Sequence, residues 1–204
     1  MTKPTKKRYR MSFAVGGLLL NESVEVARLH SPDATWEDTV RLAMDEGVTT
    51  LPKSASNRRT LREISNRLLT LSENERTFLV DQADRVDRQA LLWLATCRAY
   101  RFIREFAVEV IGERYLSYQY DLPLDSFDIL LEAKAEWDQG LASLSPSTRA
   151  KLRQILFRMM REAGVISQDG QIQAALLSQR LRTMIEERTP EDLAVFPGVP
   201  VEGA

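Results

Sequence analysis

The side chains in this 204-residue chain best suited to chemistry are its cations, because of how they are grouped. Lys3, Lys6, Lys7, Arg8 and Arg10 fall within the first ten residues with no acid among them. Lys53, Arg58, Arg59, Arg62 and Arg67 fall within residues 53–67 against a single acid, Glu63. Arg149, Lys151, Arg153, Arg158 and Arg161 fall within residues 147–161 with none. Since the whole chain balances 28 Lys and Arg against 29 Asp and Glu, these islands stand in an otherwise acidic polymer. Clustered cations suit a polyanion: each phosphate they neutralise releases condensed counterions, while the acidic remainder limits indiscriminate sticking. Taken singly, each island reads better as a solvated helix face.

Other chemistries lack their parts. One Cys and one His exclude a disulfide framework and a Cys/His zinc site, and they suit a reducing cytoplasm, the expected location. Cys97 reads as a small buried hydrophobe. His30, beside Ser31 and Pro32, reads as a C-terminal capping cation or surface residue rather than a catalyst. Gly16-Gly17 is followed by leucines rather than by Lys and Ser or Thr, so it makes no phosphate-binding Walker loop. The acidic pairs Asp45-Glu46 and Glu186-Glu187 read as solvated helix ends. The expectation is a protein that is not an enzyme and carries no cofactor or metal. No apolar run is long enough to span a membrane. The segment from Met11 to Leu20 is short, broken by glycines and lacks a leader-cleavage pattern.

The cations must be positioned by helices. The arm through Arg10 has no apolar period and is expected to be flexible. Leu18 to Leu29 reads as a helix, and Thr35 can cap another that ends at Gly47. Ser54 or Ser56 is expected to cap a third, to about Leu71, with Leu61, Ile64, Leu68 and Leu71 in one stripe. On its far side fall Arg59, Arg62 and Asn66, with Arg58 and Arg67 on the flanks. Arg and Asn match guanine and adenine edges bidentately, so this unit is compatible with a helix-turn-helix. Phosphate contact is the stronger expectation here, since Ser54 and Ser56 place hydroxyls beside the N–H groups of a positive helix N-terminus.

Ser72-x-x-Glu75 forms a capping box opening a helix that leads into a long spine from about Val86 to Leu116. Between Leu91 and Cys97 its apolar side chains point all round, which implies burial on several sides. Residues 117–123 are tyrosine-rich; Tyr115, Tyr118 and Tyr120 could stack on bases or pack at a junction. From Asp125, an expected N-cap, the order is helix, turn, helix, with Ser145 capping, Pro146 at the first helical position and Gly164 closing. Val165–Ser167 and Gln171–Gln173 flank Gln168-Asp169-Gly170, the pattern of a small β-hairpin. That order is winged-helix-like. On the wheel of its second helix, Leu152, Ile155, Leu156, Met159, Met160 and Ala163 turn inward. Lys151, Arg153, Arg158 and Arg161 spread outward, with Phe157 among them. A winged helix can also serve as a protein-docking module.

Four segments together carry a resemblance: YRMSFAVGGLLLNES from Tyr9, SNRRTLREISNRLLTL from Ser56, LLWLATCRAYRFIREFAVEVI from Leu91, and STRAKLRQILFRMMREAGVI from Ser147. In order and spacing they resemble the BrxA family of the BREX bacteriophage-exclusion systems, over roughly residues 9–186. The resemblance implies a non-enzymatic, mainly helical, cytoplasmic component of a phage-defence locus. The family is compared with the RNA-binding antitermination factor NusB and implicated in double-stranded DNA binding. It supplies no catalytic residues.

The expected fold is mainly α: a flexible basic arm (1–10), an N-terminal helical domain with a helix-turn-helix-like unit and the spine (11–116), a C-terminal winged-helix-like domain with one small hairpin (117–188), and a tail (189–204). The expected activity is duplex DNA binding with little sequence specificity, through Lys6, Lys7, Arg8, Arg10, Lys53, Ser54, Ser56, Arg58, Arg59, Arg62, Asn66, Arg149, Lys151, Arg153, Arg158 and Arg161. Alternatives are NusB-like RNA binding and an adaptor that docks other BREX proteins. No membrane partner is expected.

Overall fold

Local chemistry sets most of the helix starts. In the computed structural model, which describes residues 8–49 and 54–200, α1 spans Leu20–Leu29, α2 Trp36–Asp45, α3 Ser54–Leu68, α4 Glu73–Asp81 and α5 Arg85–Ala99. α6 (Arg101–Glu105) runs through a π-helical stretch, Phe106–Gly112, into α7 (Glu113–Leu116). Then follow α8 (Ser126–Ala135), α9 (Gln139–Ala142), α10 (Pro146–Glu162), α11 (Gln179–Arg188) and a 3-10 turn, Pro190–Val195. Thr35, Ser72, Asp84, Ser145 and Ser178 each accept a hydrogen bond from the N–H three residues on, satisfying donors that a helix start leaves orphaned. Asp125, expected to cap α8, makes no such bond. Ser54 and Ser56 both lie inside α3, so neither stands at that helix's cap position.

The expected continuous spine is two helices. Leu91 to Cys97 are buried all round, as their pattern implied, but the chain breaks at Tyr100, whose φ of −129° and ψ of 101° are extended. The cause is tertiary. Tyr100 is fully buried, meets Phe13 edge-on at 5.4 Å, and donates its hydroxyl to Glu63 Oε2 at 2.5 Å. Continuing the helix would turn that ring away from both partners. Beyond the break an aromatic series, Tyr9 to Phe102 (6.1 Å) and Phe102 to Phe127 (5.3 Å), ties the start of the chain to α6 and α8.

Two segments near the termini, residues 8–10 and 190–199, are packed where their composition suggested looseness. Tyr9 is buried, donates its N–H to Asp138 Oδ2 (3.1 Å) and its hydroxyl to Glu105 Oε2 (2.5 Å), so it and Arg10 do not belong to a flexible arm. At the other end, Leu193, Val195 and Phe196 are buried, and Trp93 Nε1 donates to the Val195 carbonyl at 3.1 Å. Residues 190–199 therefore cover the spine rather than trailing from it. The expected hairpin is reduced to an isolated antiparallel bridge, Ile166 with Ile172, beside a second, Asp121 with Gln171. Its turn does form: Ser167 N–H donates to Gln171 O (2.8 Å), with Gly170 at a φ of 88°. Among the described residues no helix is long and apolar enough to cross a membrane.

Candidate nucleic-acid interface

α3 and α10 hold the two basic islands that the structure describes, and each helix divides its cations between structural and open positions. On α3 the stripe Leu61, Ile64, Leu68 with Leu71 is buried, which leaves Arg58, Arg59 and Arg62 exposed and Asn66 half-buried. Arg58 and Arg59 meet no carboxylate among the described residues, whereas Arg62 reaches Glu37 Oε1 on α2 at 2.9 Å. Arg67, read as a flank, is buried: its Nε donates to Glu63 (2.7 Å) and its Nη1 to the Gly17 carbonyl (2.9 Å). Ser54 and Ser56 are exposed at the start of the helix.

On α10 the inward face is buried as expected, but Phe157, read as outward, is buried too, edge-on to Phe106 at 6.4 Å. The π-helical stretch reaches over that arc, so α10 is covered on two sides. Lys151 is exposed and Arg161 half-buried, and neither meets a carboxylate among the described residues. Arg153 pairs with Asp128 of α8, and Arg158 Nε donates to Glu162 Oε1 at 2.7 Å. Arg149 folds back on the Leu144 carbonyl at 3.2 Å, closing the turn into α10. Arg8 is exposed; Arg10 lies over the Tyr100 ring at 5.6 Å. Lys6, Lys7 and Lys53 lie outside the described residues.

The C-terminal ends of α3 and α10 meet at the loop Gly16–Leu19. Arg67 takes its carbonyl at Gly17, and the Glu162 carboxylate accepts from Leu18 N–H. A Cβ at Gly17 would come within 2.1 Å of Glu162 Oε2, so only glycine lets the carboxylate lie that close. Beside this loop is a cleft of about 690 Å³ that also takes in Arg85 and Gln89 of α5, Arg158 and Arg161 of α10, and Gln168. Sequence reasoning missed Arg85 and Gln89: they sit in an unremarkable helix start and reach α10 only through folding. Gln89 Nε2 donates to the Glu162 carbonyl at 2.6 Å.

Among the described residues, no group of His, Cys, Asp and Glu could hold a metal ion. His30 stacks on Trp36 at 3.8 Å, and its Nδ1 lies 2.8 Å from Thr39 Oγ1. Burial, aided by the Arg76 charge, lowers its pKa from the ordinary value, which disfavours the capping cation read from sequence. Cys97 is buried, and burial pushes its thiol well above the ordinary range, away from the thiolate form. Tyr118 and Tyr120 are exposed, while Tyr115 packs against Tyr120 at 5.4 Å, an aromatic cluster at the α7–α8 junction.

Comparison with known proteins agrees with this architecture. A BREX protein BrxA from Escherichia coli O9:H4 (strain HS) is 26% identical over 185 residues, covering 87% of this chain and 84% of that one. The crystal structure of an uncharacterized protein from Magnetospirillum magneticum superposes with a TM-score of 0.79 at 21% identity, covering 93% of this chain and 98% of its own, which shows a shared fold. The family model for BrxA matches residues 7–189, nearly the full described length, and the chain belongs to the BrxA family.

Proposed function

We propose that this protein is a non-enzymatic, double-stranded DNA-binding component of a BREX phage-defence system, gripping phosphates with little regard to sequence. The BREX assignment rests on family membership and on the curated relative being a BREX protein. The duplex assignment rests on one observation: Arg58, Arg59, Lys151 and Arg161 remain outside the reach of any carboxylate among the described residues, whereas Arg62, Arg98, Arg104, Arg153 and Arg158 are each held by one. The winged-helix-like order of α8, α9, α10 and the Ile166–Ile172 bridge supports it, with α10 as the helix presented to the groove. Arg153 and Arg158, held by Asp128 and Glu162, are weaker contributors than their sequence positions suggest.

The test is fluorescence anisotropy with a labelled duplex across a salt series. About six phosphate contacts lower affinity on the order of a thousandfold between 50 and 200 mM salt. Absence of binding at low salt rejects the proposal, and preference for RNA in direct competition replaces it with RNA binding. A docking role is the second reading. It is favoured by Leu116, Tyr118, Leu124 and Ile129 around α7 and α8, which are 77%, 81%, 56% and 63% exposed.

A further inference from the structure

The cleft beside the Gly16–Leu19 loop has a composition that duplex binding does not require. Three guanidinium groups, Arg85, Arg158 and Arg161, line it against two carboxylates, Glu22 and Glu162, with the amides of Asn21, Gln89 and Gln168 among its walls. We propose that this cleft is a seat for a single phosphoryl group, carried either by a nucleic-acid strand as a phosphodiester or by a free phosphate monoester.

Arg85 opens α5 and Arg161 lies in the last turn of α10, so two elements distant in sequence bring their charges to one concavity. Neither meets a carboxylate among the described residues, while Arg158 is already matched to Glu162 at 2.7 Å. Planar guanidinium groups bind phosphate oxygens in pairs and keep their charge at any physiological pH. Another wall is the first turn of α1, where no side chain caps the helix. This turn only adds donors to a site that the arginines define. The loop's preference for anionic oxygen is visible in Glu162, whose carboxylate accepts from Leu18 N–H and from Arg158. At about 690 Å³ the cleft lies within the range of ligand pockets and has more room than a bare phosphate needs. The inference does not rest on duplex binding, although Arg161 would serve both.

Nitrogen-15 NMR titrations of the full chain with inorganic phosphate, with AMP and with a duplex lacking terminal phosphates test it. Saturable shifts at the Leu20, Asn21 and Glu22 amides and at the Arg85 side chain are expected with at least one of the three. Response to phosphate or AMP identifies a free monoester as the source; response to the duplex alone identifies a phosphodiester. Arg85→Ala with Arg161→Ala should weaken the response at least tenfold, and Arg58→Ala with Arg59→Ala should leave phosphate or AMP shifts intact. Arg85→Ala alone, at an exposed first helical residue, gives the same reading if the double variant misfolds, which the spectrum itself reveals. Glu162→Gln should tighten phosphate by roughly three- to tenfold, since it removes a like charge a few ångströms away. No shift with any probe, or shifts that survive loss of both arginines, overturns the proposal. Phosphate binding without any duplex binding would reject the duplex function and leave the seat standing.

Discussion

Along α5 and α6, Arg98 reaches Glu75 Oε2 at 3.0 Å and Asp192 Oδ2 at 2.7 Å, and Arg104 pairs with the same Asp192. Along α3 and α10, Arg58, Arg59, Lys151 and Arg161 find no acid within reach among the described residues. Both regions carry cations, nearly all of them arginines, and the surroundings are opposite. In the first region Glu75 and Asp192 are themselves buried, so the ions exist only as a set. Burial raises each carboxyl, but the Arg98 guanidinium and nearby hydroxyl donors outweigh it and hold both below the ordinary carboxylate range. In the second region the charges are left open to neutralisation by something else. An arginine's role in this fold is thus decided by whether a carboxylate has been folded toward it.

The sharpest way to break that distinction is to remove Arg98. Arg98→Ala leaves the buried Glu75 carboxylate without its close guanidinium and Asp192 with Arg104 alone, and should destabilise the fold by about 3–5 kcal/mol in urea unfolding. At temperatures where the variant stays folded, duplex affinity should match the parent's. A cost below about 1 kcal/mol would place Arg98 with the open arginines. Phe157 makes a similar point within α10, where it shares the helix with the open cations: Phe157→Ala should cost about 3–5 kcal/mol because the ring is packed against Phe106. An outward ring would cost almost nothing.

Arg58→Glu with Arg59→Glu is the converse experiment. Stability should move by no more than about 0.5 kcal/mol, as for surface substitutions generally. The log–log salt slope of duplex binding should become shallower by about one for each phosphate the variant no longer neutralises. Unchanged binding would transfer the interface to α10 alone. Acid titration then separates the two regions by charge state. Glu75, Glu105 and Asp192 all have pKa values depressed in the folded protein. Their stabilisation is present above the ordinary carboxylate values of about 4 and is lost as pH falls through the lower folded values. Unfolding followed by circular dichroism should therefore steepen below about pH 4, and Arg98→Ala should flatten that dependence.

What could be read from the chain alone follows the same division between local and distant causes. The Ser72–Glu75 capping box, the Asp84 cap and the Ser145-Pro146 start depend on residues three apart and appear where they were expected. The break at Tyr100 has no glycine or proline to announce it, because it is set by Phe13 and Glu63, far off in sequence. The burial of residues 192, 193, 195 and 196 was equally hidden: Asp192 matters only once Arg98 and Arg104 face it. Among the site residues, the outward set of α3 was legible from its wheel. The cleft was not, since no periodicity links Arg85 to Arg161.

A third use of arginine lies at the α1–α2 corner and gives the smallest expected effect. Arg76 lies over the Trp36 ring at 5.7 Å, on the residue that His30 stacks against. Burial, and secondly the repulsion that charging His30 would meet from that guanidinium, hold its pKa below the ordinary value. Neutral His30 therefore contributes stability that is full above about pH 6.5 and declines as pH falls toward its folded value. His30→Gln should remove that slope from urea midpoints measured between about pH 7 and 5, leaving duplex binding untouched. A slope that survives the substitution would mean that the corner senses pH through another group, and that Arg76 does not share the ring with a titrating neighbour.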